Sequence, residues 1–126
     1  MIFKPAVSYN GKNFPAVSLD GLRDEMWDVL PIVERAYIHQ GFEAVCSCGT
    51  EKFYTSDLDN FNHLIHSIGS LHYRGLALDF STNGISMESI MMIRTEIQDG
   101  CDRLRAGYQL IYETSKTHFH LEYDNR

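Results

Sequence analysis

Basic clusters, paired cysteines and long apolar runs are all missing from this 126-residue sequence, and each absence closes off a class of function. Lys and Arg are scattered singly in a chain of formal net charge −6, so there is no electrostatic footprint for nucleic acid. No stretch approaches ~20 consecutive apolar residues, and a membrane span is therefore not expected. The three cysteines, Cys46, Cys48 and Cys101, are odd in number and form no Cys-x-x-Cys pair, which argues against a disulfide framework and for free, buried thiols. A Cys46/Cys48 metal pair has the alternation that points two strand residues the same way, but no nearby partner completes it. Internal repeats and low-complexity segments are also absent. The opening Met1-Ile2-Phe3-Lys4-Pro5 leads into a polar Tyr-Asn-Gly-Lys turn rather than the apolar core of a signal peptide. The expectation is a protein made and kept in the cytoplasm unless something else releases it.

What remains is the composition of an ordinary globular protein, long enough for one domain over residues 1–126 with its own core. Residues 1–17 read as an extended arm with a turn at Asn10-Gly11. From Ser18 to Gln40 the pattern is helical, with Leu22, Met26, Val29 and Val33 on one stripe, Ser18 or Asp20 as cap and Gly41 as stop. Pro31 inside that run requires a kink or a junction of two helices. Phe42 to Cys48 reads as a buried strand. The polar and aromatic stretch from Gly49 to Gly69 is too long for a plain connector and reads as a functional loop. Leu76 to Phe80 is a strand. A helix starts at Ser86 with Ile90, Ile93, Ile97, Cys101 and Leu104 on one face and Gly107 as its stop. Tyr108 to Tyr112 and Phe119 to Tyr123 are two more strands. The predicted class is α+β, a small and mostly antiparallel sheet with helices packed on one side.

The chemistry is concentrated in two stretches. One runs from His66 through Ser70, His72, Arg74 and Gly75 to Asp79. The other is Tyr112-Glu113-Thr114-Ser115-Lys116-Thr117-His118-Phe119-His120-Leu121-Glu122-Tyr123. Together they hold the histidines and acids of a zinc site with one position open for water. His72 and Asp79 flank a turn ending at Gly75, which can fold both side chains onto one ion. His118 and His120 share a strand face while Phe119 faces the core, so one can bind metal while the other sits beside the open position.

The pattern His-Ser-x-x-Ser-Leu-His-Tyr-x-Gly-x-Ala-x-Asp, followed by Tyr-Glu and then His-x-His, resembles the zinc D-alanyl-D-alanine metallopeptidase and Hedgehog signalling-domain superfamily. It is especially similar to small phage and bacterial members ending His-x-His-x-Glu-Tyr-Asp, over roughly residues 42 to 124. The resemblance implies His72, Asp79 and His120 as zinc ligands and a peptidase acting on D-amino-acid-containing peptides of peptidoglycan. It also implies an acid that activates water. Glu113 takes that role from the Hedgehog pattern, although one extra residue separates it here from His118. Peptidase members place the acid three residues before a histidine, where this chain has Ser115 and Thr117, neither of which can act as a base. Glu122 is the alternative acid, or a partner of His120. His66 and His118 are implied beside the metal as stabilisers of an oxyanion or bound water, and Ser70 and Arg74 as substrate-binding groups.

A zinc-containing binding module of Hedgehog-like fold, or a phage structural component keeping that fold, is the alternative to an enzyme. Thr50-Glu51 is similar to a pair that contributes to calcium binding in Hedgehog domains, but only Asp57 and Asp59 follow it and no dense acidic run completes such a site.

Overall fold

Pro31 determines how the N-terminal helical segment is built. Proline lacks the N–H that a helix interior needs and is tolerated in a first turn. In the computed structural model, which describes residues 1–9, 12–51 and 70–124, two helices meet there: α1 (Asp24–Trp27) and α2 (Leu30–His39), with Pro31 in the first turn of α2. Leu22, Met26, Val29 and Val33 are buried, as their stripe predicts. The helical segment starts later than expected. Gly21 adopts φ 75, and α1 follows an extended Arg23 with no side-chain cap, so neither Ser18 nor Asp20 caps it. Gly41 does end α2: at φ 83 its N–H donates to the Ile38 carbonyl at 2.9 Å, and the Phe42 N–H donates to Tyr37 at 3.0 Å. That pair of bonds satisfies carbonyls the helix end leaves open.

The long helix α3 (Met87–Leu104) begins where the Ser86 hydroxyl accepts the Ser89 N–H at 3.3 Å. Ile90, Ile93, Ile97 and Cys101 are buried, but Leu104 is 40 % exposed because the chain turns extended at Arg105 and leaves the core there. Gly107, at φ 114, therefore belongs to the turn after the helix rather than to its cap.

Seven strands complete the fold among the described residues: β1 (Ile2–Phe3), β2 (Val7–Tyr9), β3 (Lys12–Phe14), β4 (Val45–Cys48), β5 (Ala77–Ser81), β6 (Tyr108–Glu113) and β7 (His118–Tyr123). β2 and β3 pair as a separate hairpin, and the expected turn at Asn10-Gly11 lies outside the described residues. The other five form one sheet in the order β1-β4-β5-β7-β6, antiparallel throughout except for the parallel β1/β4 pair. The architecture is α+β with a mixed sheet. The arm predicted for residues 1–17 is thus half sheet edge and half hairpin. Of the long loop predicted after Cys48, residues 52–69 lie outside the described region, and with them His66, Asp57 and Asp59.

Alternation along the central strands divides their residues between two faces. Phe119 and Leu121 of β7 stand opposite Phe80 and Leu78 of β5, fully buried against α2 and α3 in the core; Tyr37 meets Phe119 edge-on at 6.5 Å. Asp79, His118, His120 and Glu122 point to the other face. A β-bulge in β4 makes its two cysteines part company: Cys46 pairs with Phe80 on the core side, whereas Cys48 pairs with Asp79. The expectation that alternate residues of this strand point the same way is corrected, because the extra residue re-aims Cys48. At the outer edge of the sheet, the Gln98 side chain of α3 donates to the Tyr108 carbonyl at 3.2 Å and accepts the Leu110 N–H at 3.0 Å.

The 3-10 turn Leu71–Arg74 leads into β5 through Gly75, at φ 72, whose carbonyl accepts the Arg23 N–H at 3.0 Å. A Cβ at Gly75 would lie 2.1 Å from the Gly21 carbonyl oxygen, while at Gly41 it would meet nothing within 4 Å. Gly75→Ala is expected to cost about 2–5 kcal/mol, from left-handed strain plus overpacking, and Gly41→Ala only about 1–2 kcal/mol from strain. Urea denaturation of the two variants checks this; equal losses would remove the close approach as a constraint.

Candidate metal centre

Burial makes His72 and Asp79 informative. They are only 2 % and 3 % exposed, and groups of this kind inside a protein must be paired or hold an ion. His72 sits in the 3-10 turn, where the Ser70 hydroxyl accepts its N–H at 3.2 Å. Its Nδ1 lies 2.9 Å from the Gly49 carbonyl, which can only accept, so Nδ1 donates there and Nε2 is left for Asp79 or an ion. Nε2 faces Asp79 Oδ1 at 3.3 Å.

Gly49 is itself held in place. Its N–H donates to both oxygens of Glu51, at 2.9 and 3.0 Å, and the Ser18 N–H donates to Glu51 Oε1 at 2.9 Å. The buried Glu51 carboxylate is therefore engaged with backbone amides. It supports His72 through the Gly49 carbonyl.

The third group comes from β7, where Asp79 and His120 are cross-strand partners. His120 Nδ1 lies 2.9 Å from Asp79 Oδ1, and its Nε2 lies 3.0 Å from Glu122 Oε1. His72, Asp79 and His120 thus offer three donor atoms within 4.8 Å of one another. Donors about 2.0 Å from a tetrahedral zinc stand about 3.3 Å apart, so the 3.3 and 2.9 Å separations leave a few tenths of an ångström to adjust. The residues fit an ion. A second group, Asp79, Glu113 and His118, meets the same 4.8 Å limit.

Glu113 and His118 are cross-strand partners on β6 and β7. The turn Thr114–Lys116 and Thr117, in a left-handed conformation at φ 50, absorb the extra residue between them. Glu113 Oε1 reaches His118 Nε2 at 2.9 Å, His118 Nε2 lies 3.8 Å from Asp79 Oδ2, and Lys116 Nζ stands 3.6 Å from Glu113 Oε2.

Opposing forces set the ionisation of this cluster. Burial would raise the Asp79 carboxyl, but hydrogen bonds from His120 and His72 hold it well below the usual carboxylate range. Burial would lower His120, but its bonds to Asp79 and Glu122 prevail and raise it. Glu113 is raised by burial and, more strongly, lowered by His118 and the charge of Lys116. Desolvation and the nearby Asp79 charge push the Cys48 thiol up, so the metal-free site holds it protonated.

These groups open into a cleft of about 600 Å³, also lined by Phe14, Cys48, Ser70 and Ile111. Arg74 is exposed and is not among the described residues lining it. Lys116 is, and a cation three residues from Glu113 was the available sequence signal for it. Cys48 depends on the bulge, for which the sequence carries no local signal, and Phe14 on where the β2/β3 hairpin packs, which the turn expected at Asn10-Gly11 does not specify.

No family model matches this sequence, and no curated protein or solved structure matches it either.

The two shifts set a pH window for the metal-free chain. A lowered Asp79 contributes stability above its ordinary value of 3.8 that is lost as pH falls. A raised His120 contributes stability that is complete below 6.5 and is lost as pH rises through the folded value. With chelator present, the urea midpoint should decline from about pH 6 to about pH 8 in the wild type and decline less in His120→Gln. Parallel profiles for the two proteins would remove the His120–Asp79 coupling.

Proposed function

We propose that this chain is a zinc-dependent peptidase that hydrolyses D-amino-acid-containing peptide bonds of peptidoglycan, on a fold of the Hedgehog and DD-peptidase type. The observation that carries this reading is the convergence of His72, Asp79 and His120 at the wall of a cleft, with Glu113 on the same sheet face. Two imidazole nitrogens and one carboxylate oxygen suit zinc better than calcium or magnesium, which favour all-oxygen shells. Three protein ligands leave a fourth position for substrate chemistry.

Bound zinc supplies Lewis-acid activation of water and of the scissile carbonyl. Glu113, held ionised by its lowered pKa, accepts the proton of the attacking water and passes it to the leaving amine. His118, hydrogen-bonded to Glu113, stands where it can steady negative charge on the carbonyl oxygen. Glu122 fixes the His120 ring through Nε2 and leaves Nδ1 for the ion. Ser70 caps the His72 turn and borders the cleft, where a substrate-holding serine belongs in this reading.

Purified muropeptides analysed by mass spectrometry test it. Glu113→Gln keeps the size of the side chain but not its basicity, and is expected to lower kcat/KM by about 10²–10⁴-fold with the ion retained. His72→Ala, Asp79→Ala and His120→Ala should each lose the ion, and His118→Ala should keep it. Undiminished hydrolysis by Glu113→Gln would assign the base elsewhere. A wild-type chain that binds zinc and cleaves no muropeptide would leave the binding-module reading in its place.

A further inference from the structure

Asp79 divides its two oxygens between two sets of donors. Oδ1 faces His72 Nε2 at 3.3 Å and His120 Nδ1 at 2.9 Å, whereas Oδ2 faces His118 Nε2 at 3.8 Å. His118 Nε2 is in turn 2.9 Å from Glu113 Oε1, and Asp79, Glu113 and His118 all place a donor atom within 4.8 Å of the others. A carboxylate presenting one oxygen to each of two donor sets is suited to bridging two cations. We propose that Asp79, Glu113 and His118 form a second divalent-cation site, bridged to the first by Asp79, and that filling it switches off hydrolysis by engaging Glu113 as a ligand.

The regulatory half rests on the peptidase reading above; the binding half does not. The second set has one nitrogen and two carboxylate oxygens, the same donor types as the first, so it accepts the same ion. It must be the weaker of the two for electrostatic reasons. With one dication and Lys116 in place, the three carboxylates Asp79, Glu113 and Glu122 are already neutralised. A second dication must displace the Lys116 ammonium, 3.6 Å from Glu113 Oε2, and sit close to the first ion. Lys116 is well exposed and can swing into solvent at little cost. The lone pairs that Glu113 would offer to water are then committed to the ion. Activity is thereby limited by metal supply in both directions: one ion enables hydrolysis and two prevent it.

The metal-stripped 126-residue chain, titrated with Zn²⁺ by equilibrium dialysis and with Co²⁺ by visible absorption, tests both halves. The expected result is two ions per chain, the second on the order of a hundredfold weaker than the first. His118→Ala should lose only the second equivalent; His118→Gln serves if alanine disturbs the β6/β7 hairpin by circular dichroism. Muropeptide hydrolysis should rise across the first equivalent and fall across the second, and in the His118 variant the residual rate should not fall. A single equivalent in the wild type, or a second that persists in both His118 variants, overturns the proposal. Two equivalents without hydrolysis at any metal level leave the second site standing and remove the peptidase reading with its switch. Hydrolysis that plateaus at one equivalent, with no second ion bound, removes the second site and leaves the peptidase reading intact.

Discussion

A carboxylate buried in the middle of a sheet survives only if its surroundings replace the water it has lost. Asp79 meets that condition through His72, His118 and His120, which stand around its two oxygens. The arrangement holds only if β5 and β7 keep their register. A slip of one residue would turn Asp79 or His120 into the core and drive Phe80 or Phe119 out toward the cleft. The fully buried pairs Leu78/Leu121 and Phe80/Phe119 therefore position the charged groups as firmly as any hydrogen bond does. Packing on one face of the sheet fixes the chemistry on the other.

Support for the site is layered. Ser18 and Gly49 amides hold the Glu51 carboxylate, the Gly49 carbonyl sets the His72 tautomer, and Gly75 lets the turn carrying His72 approach the backbone before α1. Glu122 does for His120 what Gly49 does for His72. In each case a neighbour takes one ring nitrogen and leaves the other for the centre of the site. Segments distant in sequence, around residues 18, 49, 72 and 120, thus act on the same few ångströms.

Much of this was legible in the residues because it follows local periodicity. The α3 stripe, the helix junction at Pro31, the stop at Gly41 and the inward Phe119 between two outward histidines all reflect repeats of 3.6 or 2 that a single chain displays. What was not legible depends on long-range register. The bulge separating Cys46 from Cys48 exists only relative to β5, and the position of the β2/β3 hairpin beside the cleft, unlike the turn expected within it, needed tertiary contacts to define it. Glu51 has a role the sequence did not display for a similar reason, since its partners are backbone amides of residues 18 and 49. Leu104 shows the limit of periodicity at an element's end, where the stripe continues in sequence after the chain has left the helix.

The Gln98 side chain, bonded to both the Tyr108 carbonyl and the Leu110 N–H, lies along β6 at the outer edge of the sheet. An edge strand with open backbone groups is a template onto which another chain can add, the first step in runaway self-association. Here an amide from a helix imitates one residue of a neighbouring strand, offering a donor and an acceptor at strand spacing. The terminal strand is thereby occupied by its own molecule over its first residues. The histidines of the neighbouring strand β7 can then line an open cleft without the sheet that carries them becoming adhesive at its margin.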